Sequence, residues 1–205
     1  MEKGKFEITP SHIAGLIAVT VSTYFLITQR GDLSIVAASV YFVLACTTDT
    51  FKAKIPNLLN ACLLIAGVTL STTTLGLHGF LLSISGLGLG LGLLIIPYLM
   101  GGMGAGDVKA LGALGALIGP YDLLHVFLYM AFWGGGLALL HYLYIADIKK
   151  SFQDAWLSIR TSAITQKAHY IVPTNSDSLK NTPRFPYSAA IALGYYSVVY
   201  WGSIL

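Results

Sequence analysis

Two carboxylates in this sequence occupy positions from which they could carry out acid–base chemistry. Asp49 follows one apolar stretch, and Asp107 closes the glycine-rich segment 101–107 and precedes another apolar stretch. Two carboxyl groups held close together cannot both ionise easily, so they share a proton. The ionised group can then activate a water molecule as a general base, while the neutral group polarises a peptide carbonyl. A fold that brings the pair together would be equipped to hydrolyse a peptide bond.

The composition indicates which elements must position these residues. Of the 205 residues, 55% are hydrophobic and only 10% are charged, and the mean hydropathy is +0.72. Soluble domains carry about 25% charged residues, which excludes an ordinary soluble enzyme. Cys46 and Cys62 are the only cysteines, which excludes a disulfide-rich secreted scaffold. We therefore expect an all-α, polytopic transmembrane helix bundle that forms one membrane-embedded domain over residues 1–205.

Six stretches are apolar over about the length needed to cross a bilayer. They are residues 11–29, 33–48, 58–76, 80–100, 123–146 and 186–205. A seventh stretch, residues 108–119, is shorter. If all seven cross, eleven of the twelve Lys and Arg residues lie in the cytoplasm and Arg30 alone lies outside. This asymmetry is a strong positive-inside pattern, so the short stretch is expected to span as well.

This orientation predicts a multi-pass protein of the cytoplasmic membrane with its amino terminus in the cytoplasm. Residues 1–32 are expected to form an additional, uncleaved span, because no cleavage site of small residues follows the first apolar stretch. Residues 147–185 are expected to form a cytoplasmic loop. Two crossings separate Asp49 from Asp107, so both carboxylates should lie at the cytoplasmic face and at similar depth.

The neighbours of the two carboxylates suit the ends of helices. Pro56 is expected to stop a helix, and Asn57 to cap the next one. The glycines before Asp107 allow other groups to approach closely. For each aspartate taken alone, the alternative is an interfacial helix cap in contact with water and lipid headgroups. Lys109 is either a cytoplasmic anchor or an electrostatic partner of Asp107.

Together these residues resemble the signatures of a known family. Asp49 with Lys54-Ile55-Pro56-Asn57, and Gly104-Ala105-Gly106-Asp107-Val108-Lys109, resemble the two motifs of type IV prepilin peptidases, the intramembrane GxGD aspartic proteases. The stretch that begins with Pro186 and Tyr187 resembles the last helix of the short, Flp/Tad-type branch. The resemblance extends from about Asp49 to the end of the sequence.

The resemblance implies that Asp49 and Asp107 catalyse removal of the leader peptide from prepilin-like proteins at the cytoplasmic membrane face. Cleavage in this family typically follows a Gly that precedes the pilin's hydrophobic segment, and it needs no cofactor. Larger members add an N-methyltransferase activity and a cytoplasmic domain with four metal-binding cysteines, which has no counterpart here.

The expected partners are a prepilin or pilin-like substrate and membrane lipid. No metal site is expected, because the five His residues are scattered along the sequence. No nucleic-acid partner is expected either, because the basic residues are spread over several short connections.

Two other functions remain open. A small ion-coupled transporter could use Asp49 and Asp107 as a proton relay, although a carrier site belongs near the membrane midplane. A non-catalytic membrane subunit of a pilus or secretion assembly would use the two residues only as caps.

A run of alternate glycines lies inside the fourth apolar stretch. Gly86 and Gly90 are four residues apart, as are Gly88 and Gly92. Small residues at this spacing let neighbouring helices pack closely. We interpret this run as a helix-packing surface, since a nucleotide-binding loop would need a strand before it.

Overall fold

The computed structural model of the chain describes residues 10–52, 54–100, 102–145 and 187–202. Those residues contain five helices and no strand, which confirms the all-helical class. The helices are α1 (Pro10–Thr28), α2 (Leu33–Lys52), α3 (Asn57–Leu99), α4 (Ala105–Ile145) and α5 (Tyr187–Trp201). Three of them, α2, α3 and α4, are long and apolar enough to cross a membrane.

The outer surface of the bundle is apolar. Leu58, Ile65, Leu77 and Ile96 of α3 are all exposed large hydrophobic side chains. A soluble monomer rarely exposes so continuous an apolar surface. The chain is therefore a multi-pass membrane protein of helical-bundle type.

Helix α3 folds back on itself at Gly76. Its 43 residues would be about 65 Å long if straight, roughly twice the thickness of a bilayer core. Gly76 instead has φ 60° and ψ −139°, a backbone conformation that favours glycine. A Cβ on Gly79 would collide with the carbonyl oxygen of Ser71, although residues eight apart in a straight helix are about 12 Å apart. Residues 57–75 and 77–99 thus form a helical hairpin.

Helix α4 has a similar break at Gly119, with φ 84° and ψ 172°, followed by Pro120. A Cβ on Gly115 would lie 2.7 Å from Cδ2 of Leu123, so the chain also turns back here. The predicted short stretch 108–119 corresponds to the first half of this hairpin. Because α3 and α4 each contain two helical segments, the five helices comprise seven segments, which correspond to the six apolar stretches and the short seventh one predicted from the sequence.

The glycine run of α3 packs against α4 on one face. A Cβ on Gly86 would collide with the carbonyl oxygen of Gly115, and one on Gly90 would lie 2.7 Å from the carbonyl oxygen of Leu111. The predicted close packing is therefore confirmed for this face. The prediction of close packing is wrong for Gly88 and Gly92, because an added Cβ there would meet nothing within 4 Å.

Helix α5 occupies the interior of the bundle. All ten residues from Ser188 to Ser197 are buried. Gly194 approaches α4, where an added Cβ would lie 2.8 Å from the backbone N of Met130. Tyr196 stacks on Phe25 of α1 with ring centroids 4.6 Å apart. Its hydroxyl donates a 3.0 Å hydrogen bond to Ser39 of α2. This helix therefore joins α1, α2 and α4.

The carboxyl end of α2 extends beyond the predicted apolar stretch 33–48. The helix continues to Lys52, so Asp49 lies within its last turn instead of after its end. The hydroxyl groups of Thr48 and Thr50 donate to carbonyl oxygens one turn earlier, at 2.9 Å and 2.6 Å, and neither residue breaks the helix. The expected loop 147–185 and residues 1–9 of the amino-terminal segment lie outside the described residues.

Candidate active site

Asp49 is half-buried, and the start of α5 holds its carboxyl group. The hydroxyl of Ser188 donates a 2.6 Å hydrogen bond to Oδ2 of Asp49. The backbone N–H of Ser188 points to the same oxygen at 3.4 Å. Ser188 is itself buried, with 2% of its surface exposed. The orientation of the Asp49 carboxyl group is therefore set from inside the bundle.

Asp107 is the third residue of α4 and is 9% exposed. Its backbone N–H donates to the carbonyl oxygen of Gly104 at 3.1 Å. The N–H of Gly104 donates in return to Oδ2 of Asp107, also at 3.1 Å. This reciprocal pair closes the glycine turn around the carboxyl group. A carboxylate in the first turn of a helix also interacts favourably with the helix dipole.

A buried hydrogen-bond chain connects α2 and α3 to this turn. The hydroxyl of Tyr41 donates to Oδ1 of Asn60 at 2.7 Å. Nδ2 of Asn60 donates to the carbonyl oxygen of Gly106 at 3.1 Å. Tyr41 also interacts electrostatically with both Asp49 and Asp107. The two carboxyl groups therefore share a neighbour at one end of the bundle.

The connection between α2 and α3 packs against the start of α4. Ile55 is buried, and a Cβ on Gly106 would lie 3.4 Å from Cβ of Ile55. Pro56 is the N-cap residue of α3, and Asn57 is the first helical residue. The prediction that Asn57 caps this helix is wrong, because its Oδ1 accepts a 3.1 Å hydrogen bond from Nζ of the exposed Lys109.

The first residue of α5 is close to the second carboxyl group. Tyr187 interacts electrostatically with Asp107, while the next residue, Ser188, is hydrogen-bonded to Asp49. The start of α5 is therefore the third element of the site, after the end of α2 and the start of α4. Pro186, which also belongs to the sequence pattern, lies outside the described residues.

This arrangement is suited to general acid–base chemistry. Oδ2 of each carboxyl group accepts a hydrogen bond from a neighbouring element. Asp49 is half-buried and Asp107 is buried, so both carboxyl groups are partly withdrawn from water. Among the described residues, no group of three His, Cys, Asp or Glu side chains could hold a metal ion.

Sequence motifs do not single out Ser188, Tyr41 or Asn60 as members of the site. Asn60 has a recognisable signal, because an amide side chain within an apolar span needs hydrogen-bond partners inside the protein. Tyr41 gives a weaker signal, since aromatic residues are common in spans. Ser188 lies in the stretch that resembles the last helix of the family, yet its contact with Asp49 depends on how α5 inserts.

One stretch of the chain matches a known protein family. It contains the two carboxyl groups, the glycine turn and the connection between α2 and α3. The model of the type IV leader peptidase family matches residues 35–139, just over half of the chain. The chain belongs to the type IV leader peptidase family. This confirms the resemblance drawn from the two motifs and supports a peptidase of the membrane.

The match to the leader peptidase family covers α2, α3 and most of α4. It includes the aspartates, Tyr41 and Asn60, and it ends before α5. Comparison with curated proteins and with solved structures gave no match.

Proposed function

We propose that this leader peptidase family member is an intramembrane aspartic endopeptidase that removes the leader peptide of type IV prepilin-like proteins. Asp49 and Asp107 are the proposed catalytic pair. The observation that carries the proposal is that both lie within electrostatic range of Tyr41, and that the first two residues of α5 connect to them: Tyr187 interacts electrostatically with Asp107, and Ser188 is hydrogen-bonded to Asp49. The two aspartates are 58 positions apart in the chain, yet both interact electrostatically with the same tyrosine.

In the proposed reaction, one carboxyl group is ionised and takes a proton from a water molecule as it attacks the peptide carbonyl. The other is neutral and donates a hydrogen bond to the carbonyl oxygen, where negative charge develops. The cut follows a Gly immediately before the substrate's apolar segment. A Gly at this position unwinds the substrate helix readily, which exposes the scissile carbonyl to the aspartates. No cofactor takes part.

The proposed topology places this chemistry at the cytoplasmic face. If each of the two hairpins crosses the membrane twice, the turns at Gly76 and Gly119 lie on the outer side of the membrane. The ends that carry Asp49 and Asp107 then face the cytoplasm, as the distribution of basic residues requires. The same topology places the amino terminus and residues 147–185 in the cytoplasm.

The transporter alternative is less well supported by the same geometry. A coupling site of a carrier belongs near the midplane, at the interface of repeated halves. Asp49 and Asp107 instead lie in the last turn of α2 and the first turn of α4. The end of a bundle is where a peptide bond just outside an apolar helix would be presented.

A cleavage assay in liposomes tests the proposal. The substrate is a prepilin with Gly before its apolar segment, and the enzymes are wild type, Asp49→Asn and Asp107→Asn. Asn keeps the size and polarity of Asp but cannot transfer the proton. Asp122→Asn is the matched control, because Asp122 is exposed and lies near the turn at Gly119, at the opposite end of the bundle.

We expect wild type and Asp122→Asn to cut, and each variant of the catalytic pair to lose at least about a thousandfold in rate, the scale seen when a member of a catalytic constellation is removed. Each protein must retain its helical content and thermal transition. If a folded variant of Asp49 or Asp107 cuts as fast as wild type, the assignment of the pair is wrong.

A further inference from the structure

An apolar groove opens beside the candidate active site. It has a volume of about 550 Å³ and lies between the end of α3, the turn before α4 and the second half of α4. Residues that line it include Pro97, Met103, Met130, Gly134, Gly135 and Tyr187. Its size falls within the range of about 300–1,000 Å³ that is typical of specific ligand sites.

We propose that this groove binds the apolar helix of the substrate, the segment that follows the scissile bond. The inference rests on the proposed function, because a leader peptidase must hold an apolar helix directly beside its catalytic pair. It adds to that function a defined surface on the enzyme, formed mainly by the second half of α4.

Neither aspartate lines the groove, but residues that line it connect it to the Asp107 side of the candidate site. Tyr187 lines the groove and also interacts electrostatically with Asp107. Gly102 and Met103 line it too, and they directly precede the GxGD turn at Gly104. A helix that lies in the groove would therefore present the peptide bond at its amino-terminal end to the aspartates.

The floor of the groove suits the close approach of another helix. An added Cβ on Gly135 would meet nothing within 4 Å, and one on Gly134 would make only an ordinary 3.6 Å contact with Ala190. These glycines are therefore not needed for packing within the chain, unlike Gly86. Small residues let a second helix approach at short distance, and flexible Met side chains adapt to varied apolar partners.

Two other cavities of comparable size lie at the opposite end of the bundle. One is lined by Gly31, Asp32 and Gly119, and the other by Asp32, Asp122 and Gly202. Neither includes a residue that contacts the catalytic pair. A lipid acyl chain is the other candidate occupant of the apolar groove, and the crosslinking test below distinguishes it from the substrate helix.

The first test compares a full-length prepilin with a short leader peptide that ends a few residues after the cleavage site. Gly135→Leu places a side chain in the groove, and its Cβ would meet nothing within 4 Å in the free enzyme. We expect its apparent KM for the prepilin to rise about tenfold or more, while cleavage of the short peptide stays unchanged. Gly136→Leu is the matched control, since an added Cβ there also meets nothing within 4 Å and Gly136 does not line the groove.

The second test does not depend on catalysis. Gly135→Cys and Gly136→Cys are prepared in a Cys62→Ser background, because Cys62 is the exposed native cysteine. Each carries the Asp107→Asn substitution and is mixed in liposomes with a prepilin that has single cysteines along its apolar helix. We expect disulfide formation at Gly135→Cys with one face of the substrate helix, and at least about tenfold less at Gly136→Cys.

The outcomes separate the two proposals. Crosslinking through Gly135→Cys without cleavage by the wild-type enzyme would support the groove and overturn the peptidase. Cleavage without crosslinking, or equal crosslinking at both positions, would overturn the groove and leave the catalytic pair intact. If Gly135→Leu slows the prepilin and the short peptide equally, the groove does not select the apolar helix, and the proposal is wrong.

Discussion

The hydroxyl of Ser188 donates a 2.6 Å hydrogen bond to Oδ2 of Asp49, a residue 139 positions earlier in the chain. This contact joins the first turn of α5 to the last turn of α2. It gives one of the two candidate catalytic groups a fixed orientation, through a residue that lies outside the two aspartate motifs and within the stretch that resembles the family's last helix. Ser188 is in this sense a positioning residue for Asp49.

Ser188→Ala should lower kcat by more than any loss of folded protein accounts for. A hydrogen bond to a charged or proton-sharing carboxyl group contributes about 1.5–3 kcal/mol, so we expect kcat to fall by at least about tenfold with little change in KM. Ser188→Thr retains the hydroxyl and should recover most of the rate. The measurement is steady-state cleavage in liposomes together with the thermal transition of each variant. A loss of activity that merely follows the folded fraction would show that Ser188 has only a structural role.

Asn60→Ala should destabilise the protein more than Tyr41→Phe. Asn60 both accepts from Tyr41 and donates to the carbonyl oxygen of Gly106, so its removal leaves two buried polar groups without these partners. Each unsatisfied buried group costs about 1–3 kcal/mol, whereas Tyr41→Phe removes one hydrogen bond. Unfolding by a denaturing detergent in mixed micelles measures the difference, with the exposed Thr73→Ala as control. Equal losses for the two variants would contradict the hydrogen-bond chain.

Gly86→Ala and Gly88→Ala should have opposite effects on stability. A Cβ at Gly86 would collide with the backbone of Gly115, and overpacking of this kind costs about 1–3 kcal/mol or more. A Cβ at Gly88 meets nothing, and Ala is favoured over Gly within a helix by about 1 kcal/mol. The free energy of unfolding in mixed micelles should therefore fall for Gly86→Ala and stay level or rise for Gly88→Ala. The same sign for both would mean that α3 and α4 do not pack through this face.

Single cysteines should locate the turn of α3 on the side of the membrane opposite to its ends. In a Cys62→Ser background, we expect a membrane-impermeant thiol reagent to label His78→Cys from outside intact cells. Lys54→Cys and Gly102→Cys should react only in inverted vesicles. If α3 were one straight helix, Lys54 and Gly102 would lie on opposite sides. Labelling of these two positions from opposite sides would exclude the proposed topology.

Much of this fold follows from composition and hydropathy. A chain with so few charges cannot cover a soluble surface, and its apolar stretches match the thickness of a bilayer. Helical class and membrane character were therefore accessible from the sequence. The two reversals lie at Gly76 and Gly119, where the predicted apolar stretches 58–76 and 108–119 end. The sequence does not show that these two, among 22 glycines, adopt a positive φ. The packing of the hairpins determines which glycines adopt a positive φ. It also determines that Gly86, and not Gly88, lies on the contact face.

The candidate site, like the fold, could be predicted only in part from the sequence. Asp49 and Asp107 attract attention because carboxylates are rare and costly near a membrane interior. Ser188 does not, because serine is common in helices and its partner is distant in the sequence. Asn57 gave a misleading signal: Asn is a frequent N-cap, but here Pro56 occupies the cap and Lys109 takes the amide oxygen.

The burial of α5 has a consequence for biosynthesis. This helix follows the other four described helices in the chain, so the ribosome produces it after the segments that carry both aspartates. Until α5 inserts between α1, α2 and α4, Asp49 lacks its hydrogen bond from Ser188 and the groove lacks the wall that Tyr187 supplies. In an incompletely synthesised chain, Asp49 and Asp107 would therefore lie in an incomplete site. The proposed catalytic site would therefore be complete only after this helix has inserted.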